Sequence, residues 1–244
     1  MREGRSDPRI LVIQNDPDKS LGRVADALLA EGAELDVRFA HHDLPHPGGY
    51  DGIVALPGLA DPGDDVASVH RTRALLAAAI ERRLPVLGIC LGGQLVAEAL
   101  GASTYRCASE LGFHDVETTP AAGGDALLGD APDRFSTFHA HRYAFNVPAD
   151  AVVLARNEVC AQAFRHGDRV WALQFHPEST IGWVDDLART MRGEPGGVPE
   201  NTARFFRSND VDPDALERDA RAAAPVAHEL AAGIAAGFVQ ACRA

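Results

Sequence analysis

One junction constrains this chain more than any other. A short apolar run over residues 84–89 reaches Cys90, and a helix-like pattern begins almost at once over 92–100. The junction reads Gly88-Ile89-Cys90-Leu91-Gly92-Gly93-Gln94, with glycine two positions before the cysteine and two after it. A strand that turns into a helix this abruptly has no space for neighbouring Cβ atoms, which is why glycine flanks the turn. Such a turn holds its central side chain above the mouth of a parallel sheet. The helix that starts there offers its positive end and free N–H groups, which favour thiolate over thiol. Cys90 therefore reads as the thiol form of a nucleophile elbow.

The segments before it have the rhythm that such an elbow needs. Residues 10–14 and 52–56 are short, continuously apolar runs of the kind buried in parallel sheets, and 34–39 is a third strand candidate. Asn15-Asp16-Pro17-Asp18 is turn chemistry, and Ser20 is a candidate cap for a helix with Leu21, Val24, Leu28 and Leu29 on one face. Asp64-Asp65 is placed to open a second helix that runs to about Arg83. Strand and helix in alternation predict an α/β fold with a mostly parallel sheet flanked by helices.

Beyond Gly101 the pieces become shorter: 113–118, 135–139, 152–155, 160–165 and 169–175 read as strands, the last two as a hairpin around His166-Gly167-Asp168. No strand is expected after Ile181. Residues 192–199 read as a loop, and 213–244 as helix, with Leu216, Ala220, Ala223, Ala227, Leu230, Ile234 and Phe238 on one face and Pro225 expected to kink or divide it. The domain expectation is one α/β unit over 1–180 and a helical C-terminal extension over 181–244, packed on the unit or on a partner.

Composition sets outer limits. At 244 residues with 46% hydrophobic content, the chain is large enough for one well-buried core. A formal net charge of −12 argues against nucleic-acid and anionic-membrane partners and favours small molecules or proteins. No apolar run in the sequence looks long enough to span a bilayer, and the polar first residues do not resemble a signal peptide. None of the four cysteines, Cys90, Cys107, Cys160 and Cys242, forms a C-x-x-C pair, so neither a zinc site nor a disulfide framework is indicated. A cytoplasmic setting is expected, and a thiol nucleophile would need its reducing conditions.

The second informative segment lies 86 residues beyond Cys90, in Gln174-Phe175-His176-Pro177-Glu178. A histidine ending a strand, with a carboxylate two residues on, is the base and orienter that a nucleophilic cysteine needs. The two segments together, in this order and spacing, resemble the class I, triad-type glutamine amidotransferases, whose motifs are G-x-C-x-G-x-Q and H-P-E. The likeness covers roughly residues 9–180 and is to a stand-alone member similar to the glutaminase domain of guanylate (GMP) synthase. It implies a flavodoxin-like class I amidotransferase fold.

On this resemblance Cys90 is the nucleophile, His176 the general base and acid, and Glu178 the residue orienting the imidazole. The backbone N–H of Leu91 and that of Gly58 form the oxyanion hole, although Gly58 is followed by Leu59-Ala60-Asp61-Pro62-Gly63 where many relatives carry Gly-Pro. Gln94, Arg142 and Tyr143 are substrate contacts, the last two within a segment, 138–148, that resembles a substrate-holding loop. Arg142 stands where relatives often have glycine or serine. Gly93 is expected to leave room beside the nucleophile. His139 and His141 are two residues apart, but no acid or cysteine accompanies them in the segment, so no metal and no cofactor are expected.

The implied activity is hydrolysis of the L-glutamine side-chain amide through a cysteinyl thioester, with ammonia passed to a synthase or ligase on another polypeptide. Two other readings stay open: a stand-alone γ-glutamyl peptide or amine hydrolase using the same triad, and a catalytically idle regulatory subunit. Homo-oligomerisation is also left open.

Overall fold

The structure, a computed structural model, describes residues 7–16 and 21–244. The expected Ser20 cap and the Pro17-Asp18 part of the first turn lie outside the described residues. The elements are β1 (Arg9–Gln14), α1 (Gly22–Ala30), β2 (Glu34–Phe39), β3 (Gly52–Ala55), α2 (Ala67–Glu81), β4 (Val86–Ile89), α3 (Leu91–Ala99), β5 (Thr104–Thr118), β6 (Arg134–Phe145), β7 (Ala151–Arg156), β8 (Ala161–His166), β9 (Val170–Leu173), α4 (Ile181–Met191), α5 (Glu200–Arg207) and α6 (Pro213–Arg243).

Nine strands form one sheet in the order β2-β1-β3-β4-β9-β8-β7-β5-β6. From β2 to β9 every neighbour is parallel; from β9 to β6 every neighbour is antiparallel. The short continuous apolar runs become central strands because both sheet faces are covered. Ile10 and Val12 point to the face packed by α1 and the C-terminal half of α6, through Val24, Leu28, Leu230, Ile234 and Phe238. Leu11 and Ile13, one residue out of phase, point to the face packed by α2 and α3, through Val69, Leu76, Leu95 and Val96. Each such side chain taken from water contributes about 1.5–3 kcal/mol.

Several expectations need correction. Helix α2 starts at Ala67 rather than at Asp64-Asp65. The Asp64 carboxylate accepts from Asp61 N–H and the Asp65 carboxylate contacts His70, so both are engaged by local bonds that compete with helix. Strands β5 and β6 are much longer than 113–118 and 135–139, and most of the expected loop at 138–148 is strand. The outer part of β5 is exposed and its register breaks between Arg106 and Glu110, which erases the alternation that marks a strand. The short helix α5 is announced by Pro199, Glu200 and the arginines of its last turn.

Pro225 neither ends nor divides α6, which runs unbroken over 31 residues. The missing N–H removes one helical hydrogen bond, but both flanks are held by packing. Leu216 and Ala220 are buried with α4, α5 and Phe138, while Leu230, Ile234 and Phe238 are buried on the sheet. Contrary to the sequence expectation, α6 is by length and composition long and apolar enough to cross a bilayer, with a mean hydropathy of 1.4 in its most apolar window. Its Gly237 packs so closely on the segment after β5 that an added Cβ would sit 1.8 Å from the Ala126 carbonyl oxygen. The apolar stripe is thus used in the protein's own core.

Candidate active site

Three adjacent parallel strands deliver their C-terminal ends to one crevice, the usual place for a ligand in such sheets. Gly58 follows β3, Cys90 follows β4, and Gln174 to His176 follow β9. Cys90 has φ 51° and ψ −112°, a positive-φ conformation that a non-glycine residue adopts at a cost of about 1–3 kcal/mol. Its N–H donates to Leu173 C=O at 2.7 Å and its C=O accepts from Gln94 N–H at 2.9 Å, so the strained residue is held from both sides.

The flanking glycines are needed for contact. A Cβ on Gly88 would lie 2.4 Å from Gly92 O, and one on Gly92 would lie 2.1 Å from Ala55 O. Gly92→Ala is expected to destabilise the fold by roughly 1–3 kcal/mol or more, read as a fall of roughly 2–4 °C in Tm per kcal/mol. An unchanged melting temperature would show that the elbow has slack. Gly93 also differs from expectation: its missing Cβ faces Leu173 O, at 2.7 Å, and so serves helix–strand packing rather than space beside the thiol.

His176 is buried, and its Nδ1 lies 2.6 Å from Glu178 Oε1. The ring rests edge-on against Phe138, and the backbone N–H of His176 donates to Phe138 C=O at 2.9 Å. Glu178 is fixed through its backbone as well. Arg23 N–H, in the first turn of α1, donates to Glu178 C=O at 2.9 Å, and Arg23 Nε donates to Ser179 C=O at 2.7 Å. Gly22 permits this approach: its φ is +65°, and a Cβ there would meet Glu178 O at 2.0 Å. Burial on its own lowers the pKa of the His176 imidazole, but the negative charges of Glu178 and Cys90 outweigh it and carry the pKa up to about 10. With Nδ1 bound to Glu178 and Nε2 buried without a hydrogen-bond partner, Nε2 is the nitrogen left for proton exchange with the sulfur.

Cys90, His176, Gly58, Leu91, Gln94, Arg142 and Tyr143 all line one cavity of about 210 Å³. Glu178 stands behind His176 and does not line it. Leu91 is the first residue of α3, so its N–H has no intrahelical acceptor and is available to a developing oxyanion. Gly58 packs directly on Leu91: a Cβ on Gly58 would sit 2.8 Å from Leu91 Cδ2. Gln94 Nε2 donates to Tyr143 C=O at 2.7 Å and to Gln174 Oε1 at 3.3 Å. The Arg142 guanidinium is bidentate on Asp61, at 3.1 and 2.9 Å, and lies 5.5 Å above the Phe205 ring.

Two groups of residues at the site escaped the sequence reading. Gln174, fully buried, has its Nε2 3.8 Å from Cys90 Sγ and links the nucleophile to Gln94. Its position two residues before His176 was the available signal. Asn201, Thr202 and Phe205 of α5 also line the cavity. Nothing in their local sequence connects them to residues more than a hundred positions earlier.

A family model for class-I glutamine amidotransferases matches residues 18–186. A glutamine-hydrolysing GMP synthase chain from Methanococcus vannielii, the one designated A, is 35% identical over 41% of this chain and 53% of its own length. Component 2 of anthranilate synthase from Mycobacterium tuberculosis is 32% identical over 76% of this chain and 89% of its own. The match thus spans about half the length of the GMP synthase relative, and 7% of a far longer multifunctional protein from Emericella nidulans. Among solved structures, a glutamine amidotransferase from Thermotoga maritima superimposes with a TM-score of 0.81 over 97% of this chain and 100% of that one, at 25% identity. With the family match spanning more than half its residues, the chain belongs to the class-I glutamine amidotransferases.

Proposed function

We propose that this protein hydrolyses the side-chain amide of L-glutamine to glutamate and ammonia, and that the ammonia is used by a synthase or ligase on a separate chain. The observation that carries the reading is the strained Cys90, at the foot of α3 and beside the Leu91 N–H, sharing a cavity with a histidine that Glu178 orients. Cys90 Sγ attacks the amide carbon, and the oxygen takes up charge facing the N–H groups of Leu91 and Gly58. The C–N bond then breaks as His176 gives its proton to the departing nitrogen, leaving a glutamyl thioester and ammonia. Water, deprotonated by the now neutral His176, attacks the thioester; glutamate leaves and the proton returns to the pair. The relatives named as one part of a larger synthase favour a separate acceptor, and a thiol nucleophile favours a reducing cytoplasm.

A second reading, a γ-glutamyl amine or peptide hydrolase, is favoured by one feature. Asn201, Thr202 and Phe205 of α5 line the same cavity as Cys90, so its wall holds side chains beyond those assigned to the glutamine head. The test is glutamate release from L-glutamine beside a panel of γ-glutamyl amines and peptides. Faster turnover of glutamine supports the proposal; turnover confined to the substituted amides selects the alternative.

Arg142 separates the two uses of its own side chain. Because its charge is committed to Asp61, Arg142→Ala is expected to change KM by no more than about fivefold, since partly exposed ion pairs contribute roughly 0.2–1 kcal/mol. A rise of about 10²-fold or more would mean that the guanidinium leaves Asp61 for the substrate.

A further inference from the structure

The absence of a metal was expected because no acid or cysteine accompanies His139 and His141 in sequence. The fold supplies both. Glu110 resumes the β5 register after the break at 106–110 and stands directly opposite His141 on β6. Cys160 closes the β7–β8 turn, where its N–H donates to Asn157 Oδ1 at 3.1 Å, and this brings its sulfur to the same point. One ligand atom from each of Glu110, His141 and Cys160 lies within 4.8 Å of the other two, and all three residues are buried. We propose that Glu110, His141 and Cys160 bind a thiophilic divalent cation, zinc by the chemistry of the donor set, at a site separate from the Cys90–His176–Glu178 triad.

The distances support this choice. Tetrahedral zinc, with bonds of about 2.0–2.3 Å, needs ligand atoms about 3.3–3.7 Å apart. His141 Nε2 lies 3.1 Å from Glu110 Oε2, and Cys160 Sγ lies 3.9 Å from the same oxygen. Those two values bracket the required edge, so these ligand pairs need move only by tenths of an ångström. One carboxylate, one imidazole and one thiolate make a donor set suited to zinc and leave a fourth position. His139 Nδ1, 3.4 Å from His141 Nε2 and 3.9 Å from Glu110 Oε2, stands next to that position.

The surrounding groups orient the ligands, as outer partners do at metal sites. Asn157 Nδ2 donates to Glu110 Oε1, which leaves Oε2 to face the cluster. Gln162, fully buried, spans two of the proposed ligands: its Nε2 lies 2.9 Å from Glu110 Oε2 and 3.3 Å from Cys160 Sγ, while its own Oε1 has no partner. Access is available from outside. A separate cavity of about 580 Å³ is lined by Glu110 together with Asp115, Glu117 and Glu158, and also by Arg156 and by Arg134, which pairs with Asp115 and Glu117. A bound ion would tie the β7–β8 turn to β5 and β6 and so brace the strand whose end carries Arg142 and Tyr143.

The decisive probe is cobalt(II) added to the chelator-stripped full-length protein, followed by zinc competition. Wild type is expected to show an intense thiolate-to-cobalt charge-transfer band in the near ultraviolet, displaced by zinc. Cys90→Ser should keep the band. Cys160→Ser should lose it, and zinc affinity should fall by at least the roughly 10–100-fold typical of losing even an outer partner. Glu110→Gln, nearly isosteric, should weaken cobalt and zinc binding with an unchanged circular dichroism spectrum, and this carries the test if Cys160→Ser misfolds. No band in wild type, or a band that disappears with Cys90 and survives loss of Cys160, would overturn the proposal and leave a hydrogen-bonded polar cluster only. None of these readouts depends on glutamine turnover.

Discussion

Replacing Cys90 with alanine is expected to abolish glutamine turnover, lowering kcat by about 10⁴–10⁶-fold, the range seen when the nucleophile is removed from a hydrolytic triad. None of the other three thiols lines the cavity that holds Cys90. Burial drives the Cys107 thiol up to about 11 and the Cys242 thiol up to about 12, with neighbouring carboxylates adding to both, so each stays protonated and unreactive at neutral pH. A glutamine-mimicking alkylator should accordingly label wild type at Cys90 and leave the alanine variant unmodified. Ammonia release and peptide mass mapping read the two effects separately. Retention of turnover within about tenfold of wild type by Cys90→Ala would end the thioester mechanism. Labelling of wild type without turnover would point instead to an intact site whose oxyanion donors are not yet arranged.

The second large effect is expected at Glu178. Glu178→Gln keeps the shape of the carboxylate but removes the charge 2.6 Å from His176 Nδ1, and the amide no longer selects one imidazole tautomer. A loss of about 10³–10⁴-fold in kcat is expected by analogy with triads whose acid is made neutral. The pH profile should move with it. In wild type the His176 pKa is raised, so the imidazolium that protonates the departing amide nitrogen persists through neutral pH, and activity should fall only as pH approaches about 10. Without Glu178, burial pulls the imidazole the other way, and the alkaline limb should shift to lower pH.

The stability consequence has the same origin. A pKa raised in the folded state stabilises it fully below the unfolded value, near 6.5, and that stability is lost as pH rises toward the folded value of about 10. Wild type should therefore lose more stability than Glu178→Gln between pH 6.5 and 10. Equal loss in the two proteins, or an unmoved alkaline limb, would place Glu178 outside the imidazole's electrostatic partners.

Much of the fold was legible because its signals are local. The runs at 10–14, 52–56 and 84–89 became β1, β3 and β4 within a residue or two, since a strand buried on both faces has few polar positions to blur it, and 34–39 became the largely exposed edge strand β2. The turn at Gly167, with φ +60°, follows from its glycine in the same way. The less legible parts were those where local preference competes with context. Asp64 and Asp65 read as helix openers, but local bonds from their carboxylates compete with helix and won. Pro225 reads as a helix breaker, yet packing on either side of it outweighs one missing hydrogen bond. The outer half of β5 has no alternation to find, because its register breaks and its side chains face water.

What the sequence determined by itself is the strand–cysteine–helix junction and the His-Pro-Glu segment, because glycine at 88 and 92 and a carboxylate two residues after a histidine are short-range steric and electrostatic facts. What only the tertiary structure decided is which distant groups complete each site. The first turn of α1 clamps the Glu178 carbonyl, Asp61 claims the Arg142 guanidinium, α5 walls the cavity, and Glu110 and Cys160 meet His141. These pairings depend on sheet register and on how segments up to about 150 residues apart pack. No short stretch of chain carries that information, because burial and cross-strand placement exist only once the whole core has closed.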